Sequence, residues 1–231
     1  MTLKERLSYC KKVLTGEELW MSPQIKIHTD WFGSKFAGFY VIPSLLNDAS
    51  IVYSFGVGVD ISFDEELIQR FSCTVFAFDP TPQSIHFIEE KTCPPSFHFY
   101  PVGLYKFDGN VDFYLPEDPG YISGSIVNHW KPKQKKHRVS VPVKRFSTIV
   151  NELHHATIDL LKMDIEGSEY EVIDDILCSG VEICQLLIEV HHRFDQITNK
   201  QTLELIRKLN NAGFKIAAIS ANRKEYTFAK L

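Results

Sequence analysis

The segment LLKMDIEGSEYEVIDDIL, residues 160–177, runs from an apolar stretch straight into acid. Asp164 ends the apolar run, and Glu166 and Glu169 follow within five residues. A carboxylate that closes a buried strand is costly to desolvate without a partner, so Asp164 is expected to face a ligand or a counter-charge. Glu169 falls in a first helical turn, where an acid also complements the helix dipole. Glu189, His191 and His192 form a second polar group at the end of QLLIEV. Histidine titrates near neutrality and suits general-base work. Strand alternation aims the two histidines differently, so either His191 or His192 is the candidate base, with Asp164 and Glu189 beside it. Asp164, Glu189 and His191 could also hold a divalent cation. Their spacing matches no recognised metal signature, and no metal ligand is assigned from sequence.

Elements of a particular kind must bring such groups together. From Ile51 onward, apolar runs alternate with helical patterns: IVYSF, a helix from Ser62, TVFAFD, a helix after Thr81-Pro82, SFHFYPVGL, IDLLKMD, a helix from Ser168, QLLIEV, a helix through Leu203–Leu209, then FKIAAIS and EYTFAKL. That order predicts an α/β fold with a mostly parallel sheet covered on both faces, its last two strands antiparallel. Ser62 with Glu65 and Ser168 with Glu171 have capping-box spacing, and Thr81-Pro82 reads as an N-cap followed by a first helical position. KFDGNVDFYLPE predicts a hairpin turning at Asp108-Gly109-Asn110, and VSVPV a further strand. Residues 105–143 interrupt the alternation, and within them residues 105–136 are the expected acceptor-recognition insert. Residues 1–50 read as an N-terminal helix, with Leu3, Leu7, Cys10 and Leu14 on one face, and a lid segment WFGSKFAGFY; residues 51–231 read as the main domain.

Ligands of open α/β sheets bind beyond the carboxyl ends of the strands. There the chain places Gly56 and Gly58, and Asp79 stands 21 residues past Gly58, a separation suited to a ribose-binding acid. Ile61 occupies the third position of the dinucleotide glycine pattern. Asp60, Asp64, Glu65 and Glu66 crowd the helix start where a pyrophosphate would lie. These acids suit a cationic ligand such as S-adenosylmethionine better than NAD, the alternative of a Rossmann oxidoreductase.

LLKMDIEGSEYEVI, LLIEVHHRF, SFGVGVDISFDEELIQRF and VFAFDPTP together resemble the FkbM-type family of S-adenosylmethionine-dependent methyltransferases, from about Gly38 to the C-terminus. The resemblance implies a Rossmann-like class I methyltransferase fold with a seven-stranded sheet and one antiparallel strand. It implies methyl transfer to a hydroxyl, with S-adenosyl-L-homocysteine as product. Carried onto this chain, Phe55, Gly56, Val57 and Gly58 would hold the methionine part of the donor, Asp79 and Pro80 the ribose side, with Gly103 and Asp164 beside the donor. Ser54 stands where such glycine motifs often carry an acid, so Asp60 or Asp64 is expected to supply it. A fold retained without catalysis is the other alternative.

Composition bounds the rest. A net charge of −4, 44% hydrophobic and 23% charged residues describe an ordinary soluble chain with no global attraction to nucleic acid or membrane. Five cysteines without paired spacing fit reduced thiols, hence a cytoplasmic protein. The basic run HWKPKQKKHR, with Lys131, Lys133, Lys135, Lys136 and Arg138 and with Tyr121 and Trp130 nearby, could steer an anionic acceptor but lacks the interleaved aromatics of a nucleic-acid platform. The expected acceptor is a small molecule or saccharide. No motif addresses oligomeric state.

Overall fold

The computed structural model describes residues 3–116, 136–194 and 196–230. The basic run at 131–135, Tyr121 and Trp130 lie outside these residues. In chain order the elements are α1 (Leu3–Leu14), β1 (Asp30–Phe32), β2 (Phe39–Val41), β3 (Ile51–Phe55), α2 (Ser62–Phe71), β4 (Thr74–Phe78), α3 (Pro82–Glu90), β5 (Phe97–Tyr100), β6 (Gly103–Leu104), β7 (Gly109–Pro116), β8 (Lys136–Lys144), α4 (Phe146–Leu153), β9 (Thr157–Met163), α5 (Glu169–Cys178), β10 (Glu182–Glu189), α6 (Asn199–Asn211), β11 (Lys215–Ile219) and β12 (Glu225–Ala229).

The main sheet has seven strands in the order β11-β12-β10-β9-β3-β4-β5. β9, β3, β4, β5 and β10 pair in parallel, and β12 runs antiparallel to both β10 and β11. This is the mostly parallel sheet expected from the alternating pattern, in the seven-stranded form with one antiparallel strand that the resemblance implies. Alternate residues of each strand serve opposite faces. Tyr53, Phe55, Leu161, Met163 and Leu186 pack under α4, α5 and α6. Val52, Leu160 and Leu187 pack on the other face with Phe63 and Leu67 of α2 and with Phe32 and Phe39 of the β1-β2 ribbon. Gln185 fastens that ribbon to the sheet, accepting from Ile42 N at 2.9 Å and donating to its carbonyl at 3.3 Å.

Several local expectations changed in the tertiary setting. Neither capping box forms. Ser62 Oγ accepts from Ser34 N and Glu65 pairs with Lys91, while Asp60 Oδ1 accepts from Ser62 N. Ser168 makes no side-chain cap, and Glu171 pairs with Lys106. Thr81 does cap α3, accepting from Ser84 N. The hairpin expected at Asp108-Gly109-Asn110 is absent. β6, β8 and β7 form a separate sheet in that order, with β6 parallel to β8 and β7 antiparallel to it. Asp108 instead accepts from Arg145 N and Thr148 Oγ1 at the start of α4. On α1, Cys10 and Leu14 of the expected apolar face are exposed, Leu14 to 88%, while Tyr9 stacks on Trp20 and bonds the Leu19 carbonyl. All five cysteines are free thiols. Among the described residues no helix is long and apolar enough to cross a membrane.

The ends of β3 and β9 meet unusually closely. Asp164 N donates to Phe55 O at 3.0 Å, and a Cβ on Gly56 would lie 1.7 Å from Asp164 O, with φ +85. Gly58 also has positive φ, +58, but opens onto free space. Gly56→Ala is therefore expected to cost more than about 2 kcal/mol, combining backbone strain with a clash, against about 1–2 kcal/mol for Gly58→Ala. Equal losses in urea unfolding would show that this close approach does not constrain the turn.

Candidate active site

A cavity of about 620 Å³ opens at the carboxyl ends of β3, β4 and β9, a size ordinary for a small-ligand site. Its walls include Phe55 to Asp60, Phe78 to Thr81, Gly103, Lys162, Asp164, Glu166 and Ser168. Leu104, Phe113 and Val143 of the three-stranded sheet close one side, and Phe36 and Ala37 of the β1-β2 ribbon stand at its edge. The inserted region and the expected lid thus both reach the cavity.

The glycine turn is held from two directions. Asp79 Oδ2 accepts from Val57 N at 3.0 Å and Gly58 N at 2.9 Å; its Oδ1 accepts from Thr81 N and Thr81 Oγ1 at 2.9 and 2.6 Å. The carboxylate expected to bind ribose is therefore engaged in shaping the turn. On the far side Lys162 Nζ donates to Gly56 O at 2.7 Å. Lys162 is 5% exposed and borders the cavity. A lysine inside an apolar strand carries no motif, and its register opposite Ser54 exists only in the folded sheet.

Of the four acids at the start of α2, only Asp60 borders the cavity. Burial pushes its carboxyl up, but bonds from Ser62 and Ser34 and the charge of Lys162 outweigh this and hold it below its ordinary value. Glu66 accepts from Gly33 N, and Glu65 pairs with Lys91. Asp64, an expected cofactor ligand, lies beneath the turn instead, 2% exposed and facing Lys162, Ser54 and Asp60. Burial pushes its pKa up to about 6, against the opposing pull of Lys162 and Ser54.

The opposite wall is acidic. Asp164 Oδ1 is shut off from solvent and receives no hydrogen bond. Glu166 turns toward it on a left-handed backbone, φ +53, made possible by the loop between β9 and α5. Behind them lies His191, 4% exposed, with Nε2 3.4 Å from Glu166 Oε2 and 3.8 Å from Asp164 Oδ1. Its Nδ1 lies 3.1 Å from Oε1 of Glu169, which is fully buried and accepts from Ile165 N. Burial disfavours the imidazolium, yet Glu169 and Glu166 pull its pKa well above the usual value. Asp164 is raised in turn, first by burial and then by Glu189 and Glu166. Oxygens of Asp164 and Glu166 and a ring nitrogen of His191 lie within 4.8 Å of one another, spacing that could admit a metal ion.

Glu189 is drawn off by Lys224, 2.8 Å away, and its Oε1 stays 4.0 Å from His191 Nε2. It does not complete the trio expected with Asp164 and His191; Glu166 takes that place. His192 points elsewhere, with Nε2 3.3 Å from Glu18 Oε2, in a separate depression shared with Arg193. Burial lowers its pKa, and it does not border the glycine-turn cavity. Of the two candidate bases, the fold brings only His191 to Asp164.

The raised Asp64 pKa sets a pH dependence. An acid held above its ordinary value favours the folded state when protonated, and that contribution is lost as pH rises from about 4 through about 6. A shift from 3.8 to about 6 corresponds to roughly 3 kcal/mol. Asp64→Asn is expected to gain stability relative to the parent protein between pH 4.5 and pH 8, read from urea midpoints; a pH-independent difference would refute the assignment.

Residues 53–216 match the model of the methyltransferase FkbM domain. The chain is 26% identical over 166 residues to probable methyltransferase-like protein 24 of Homo sapiens, covering 71% of this chain and 38% of that protein. Its Rattus norvegicus counterpart is 26% identical over 142 residues, covering 61% and 32%. The chain thus spans about a third of the length of these curated relatives. Among solved structures, the Methanococcus jannaschii fibrillarin pre-rRNA processing protein aligns with a TM-score of 0.48 and 11% identity, over 86% of this chain and 75% of that one. Aeropyrum pernix fibrillarin, solved with natively bound S-adenosyl-L-methionine, gives 0.43 and 8%, over 90% and 85%. The family match takes in more than half of the sequence, including the cavity walls from Phe55 to Ser168: the chain belongs to the FkbM methyltransferase family.

Proposed function

We propose that this chain is an S-adenosylmethionine-dependent methyltransferase acting on a hydroxyl of a small molecule or saccharide. The observation that carries the reading is a single cavity with two chemically different walls. Beside the glycine turn stand one anion and one cation, Asp60 and Lys162, complementary to the ammonium and carboxylate of an amino-acid end. Across from them Asp164 and Glu166 offer acceptors for the proton of a hydroxyl.

The donor, when bound, supplies a methyl group already activated on a sulfonium. The protein's task is then to orient, desolvate and accept a proton. Asp79 holds Val57 and Gly58 in position, and Lys162 fixes Gly56 from behind, so the turn needs little reorganisation on binding. Leu104, Phe113 and Val143 supply an apolar flank against which a ring face can lie while water is excluded. Fixed alignment of two reactants can account for roughly 7–11 kcal/mol of a barrier, and a well-placed proton acceptor for about 10²–10⁴-fold in rate.

Titration calorimetry with S-adenosylmethionine, S-adenosylhomocysteine and NAD tests the donor, followed by turnover assays across hydroxylated metabolites and saccharides. The reading predicts saturable binding of the first two ligands only. Binding of NAD alone, or of none, would sink it. Lys162→Met should weaken S-adenosylhomocysteine by about 10- to 100-fold, the loss of one charge-assisted contact. Methylthioadenosine, which lacks the amino-acid end, should bind the variant nearly as well as the parent protein. An equal loss for both ligands would mean that Lys162 only supports the turn.

A further inference from the structure

We infer that Asp164, Glu166 and His191 form a binding site for one divalent first-row cation at the edge of the cavity. Three observations converge on it. Asp164 Oδ1, Glu166 Oε2 and His191 Nε2 point toward one another, and the ligand atoms of the three residues lie within 4.8 Å. A modest inward movement of two side chains would bring them onto a common ion, with one nitrogen and two hard oxygen ligands. Second, Asp164 Oδ1 is sealed from water and receives no hydrogen bond, although its strand end is otherwise well bonded. An uncompensated carboxylate oxygen at such a place lacks the partner that desolvation demands.

The third observation concerns what stands behind the histidine. Ligating histidines commonly present their other ring nitrogen to a carboxylate that fixes the ring. Here Glu169, fully buried, places Oε1 3.1 Å from His191 Nδ1, and Ile165 N holds Glu169 in turn. Tyr170 Oη accepts from the backbone N of His191 and contacts Thr202 Oγ1, which ties the histidine to α6. The ring is thus aimed with Nε2 toward the two carboxylates. Glu189 is kept out of the set by Lys224, which also limits the negative charge that the cation would meet.

Asp164 and Glu166 border the cavity and His191 lies behind them, so an ion held there would expose its remaining coordination positions to the cavity. It would accept an oxygen of the acceptor, favouring hydroxyls with a second oxygen nearby. That role rests on the methyltransferase reading; the cation site itself does not.

The test uses the whole chain freed of metal by EDTA and Mn2+ as the probe, followed by electron paramagnetic resonance and calorimetry. One saturable Mn2+ site per chain is expected. Asp164→Asn and Glu166→Gln should each weaken it at least as much as Glu169→Gln, whose loss behind the histidine should cost about 10- to 100-fold. Glu204→Gln, an exposed acid paired with Arg207, should leave it unchanged. Glu166 lies in a loop, so its variant remains informative if a substitution at Asp164 impairs folding. Absence of saturable binding, or binding that survives both cavity-edge substitutions, would overturn the proposal and leave the imidazolium of His191 as the cation of this cluster. S-adenosylhomocysteine titrated against the same metal-free protein separates the two readings: its binding without Mn2+ binding removes only the cation site, and Mn2+ binding without it removes only the methyltransferase assignment.

Discussion

The Asp164 carbonyl occupies the space that a side chain on residue 56 would need. This close approach of two neighbouring parallel strand ends is the constraint on which the site depends. It forces glycine and a positive φ at the end of β3, turning the chain sharply away from the sheet. It also sets the Asp164 side chain on the opposite wall of the space so created. One backbone contact thereby defines both the glycine turn and the acid that faces it. Asp79, just past β4, then secures the turn by accepting two hydrogen bonds, from Val57 N and Gly58 N, and Lys162 secures it from β9 with one.

Charge is arranged in two compartments around that contact. On the α2 side, Lys162 is balanced by Asp64 beneath the turn and Asp60 at the cavity, so a buried lysine is tolerated next to a backbone carbonyl. On the α5 side, three carboxylates surround His191, and Lys224 balances Glu189. Each compartment sets opposite charges to act on one another in a poorly solvated region, where their interaction is stronger than in water. The two walls can therefore serve different parts of a reaction without their charges merging into one field. The three-stranded sheet adds an apolar side, which neither compartment supplies.

Much of the architecture was legible because it is written in local periodicity. Apolar runs of strand length alternating with amphipathic helices specify a parallel sheet, and the glycines and acids at the run ends mark the ligand side. Side-chain partners were not legible in the same way. The two capping boxes had correct spacing yet did not form, because Ser62 is taken by Ser34, and Glu65 and Glu171 by lysines distant in sequence. Asp79 had the spacing of a ribose ligand, and spacing gave no sign that its oxygens also hold two turn amides and Thr81. His191 and His192, adjacent in sequence, face different depressions.

The sequence by itself determined the α/β class, the antiparallel closing pair, the glycine turn and the concentration of acid after β9 and β10, since each depends on residue type and short-range order. Only the tertiary structure decided that Glu166 rather than Glu189 joins Asp164 and His191, that Asp64 is buried while Asp60 faces the cavity, and that Lys162 belongs to the site at all. Those outcomes depend on which charged group finds a competing partner, such as Lys224 for Glu189. That competition runs between residues far apart in the chain, which spacing along the sequence cannot express.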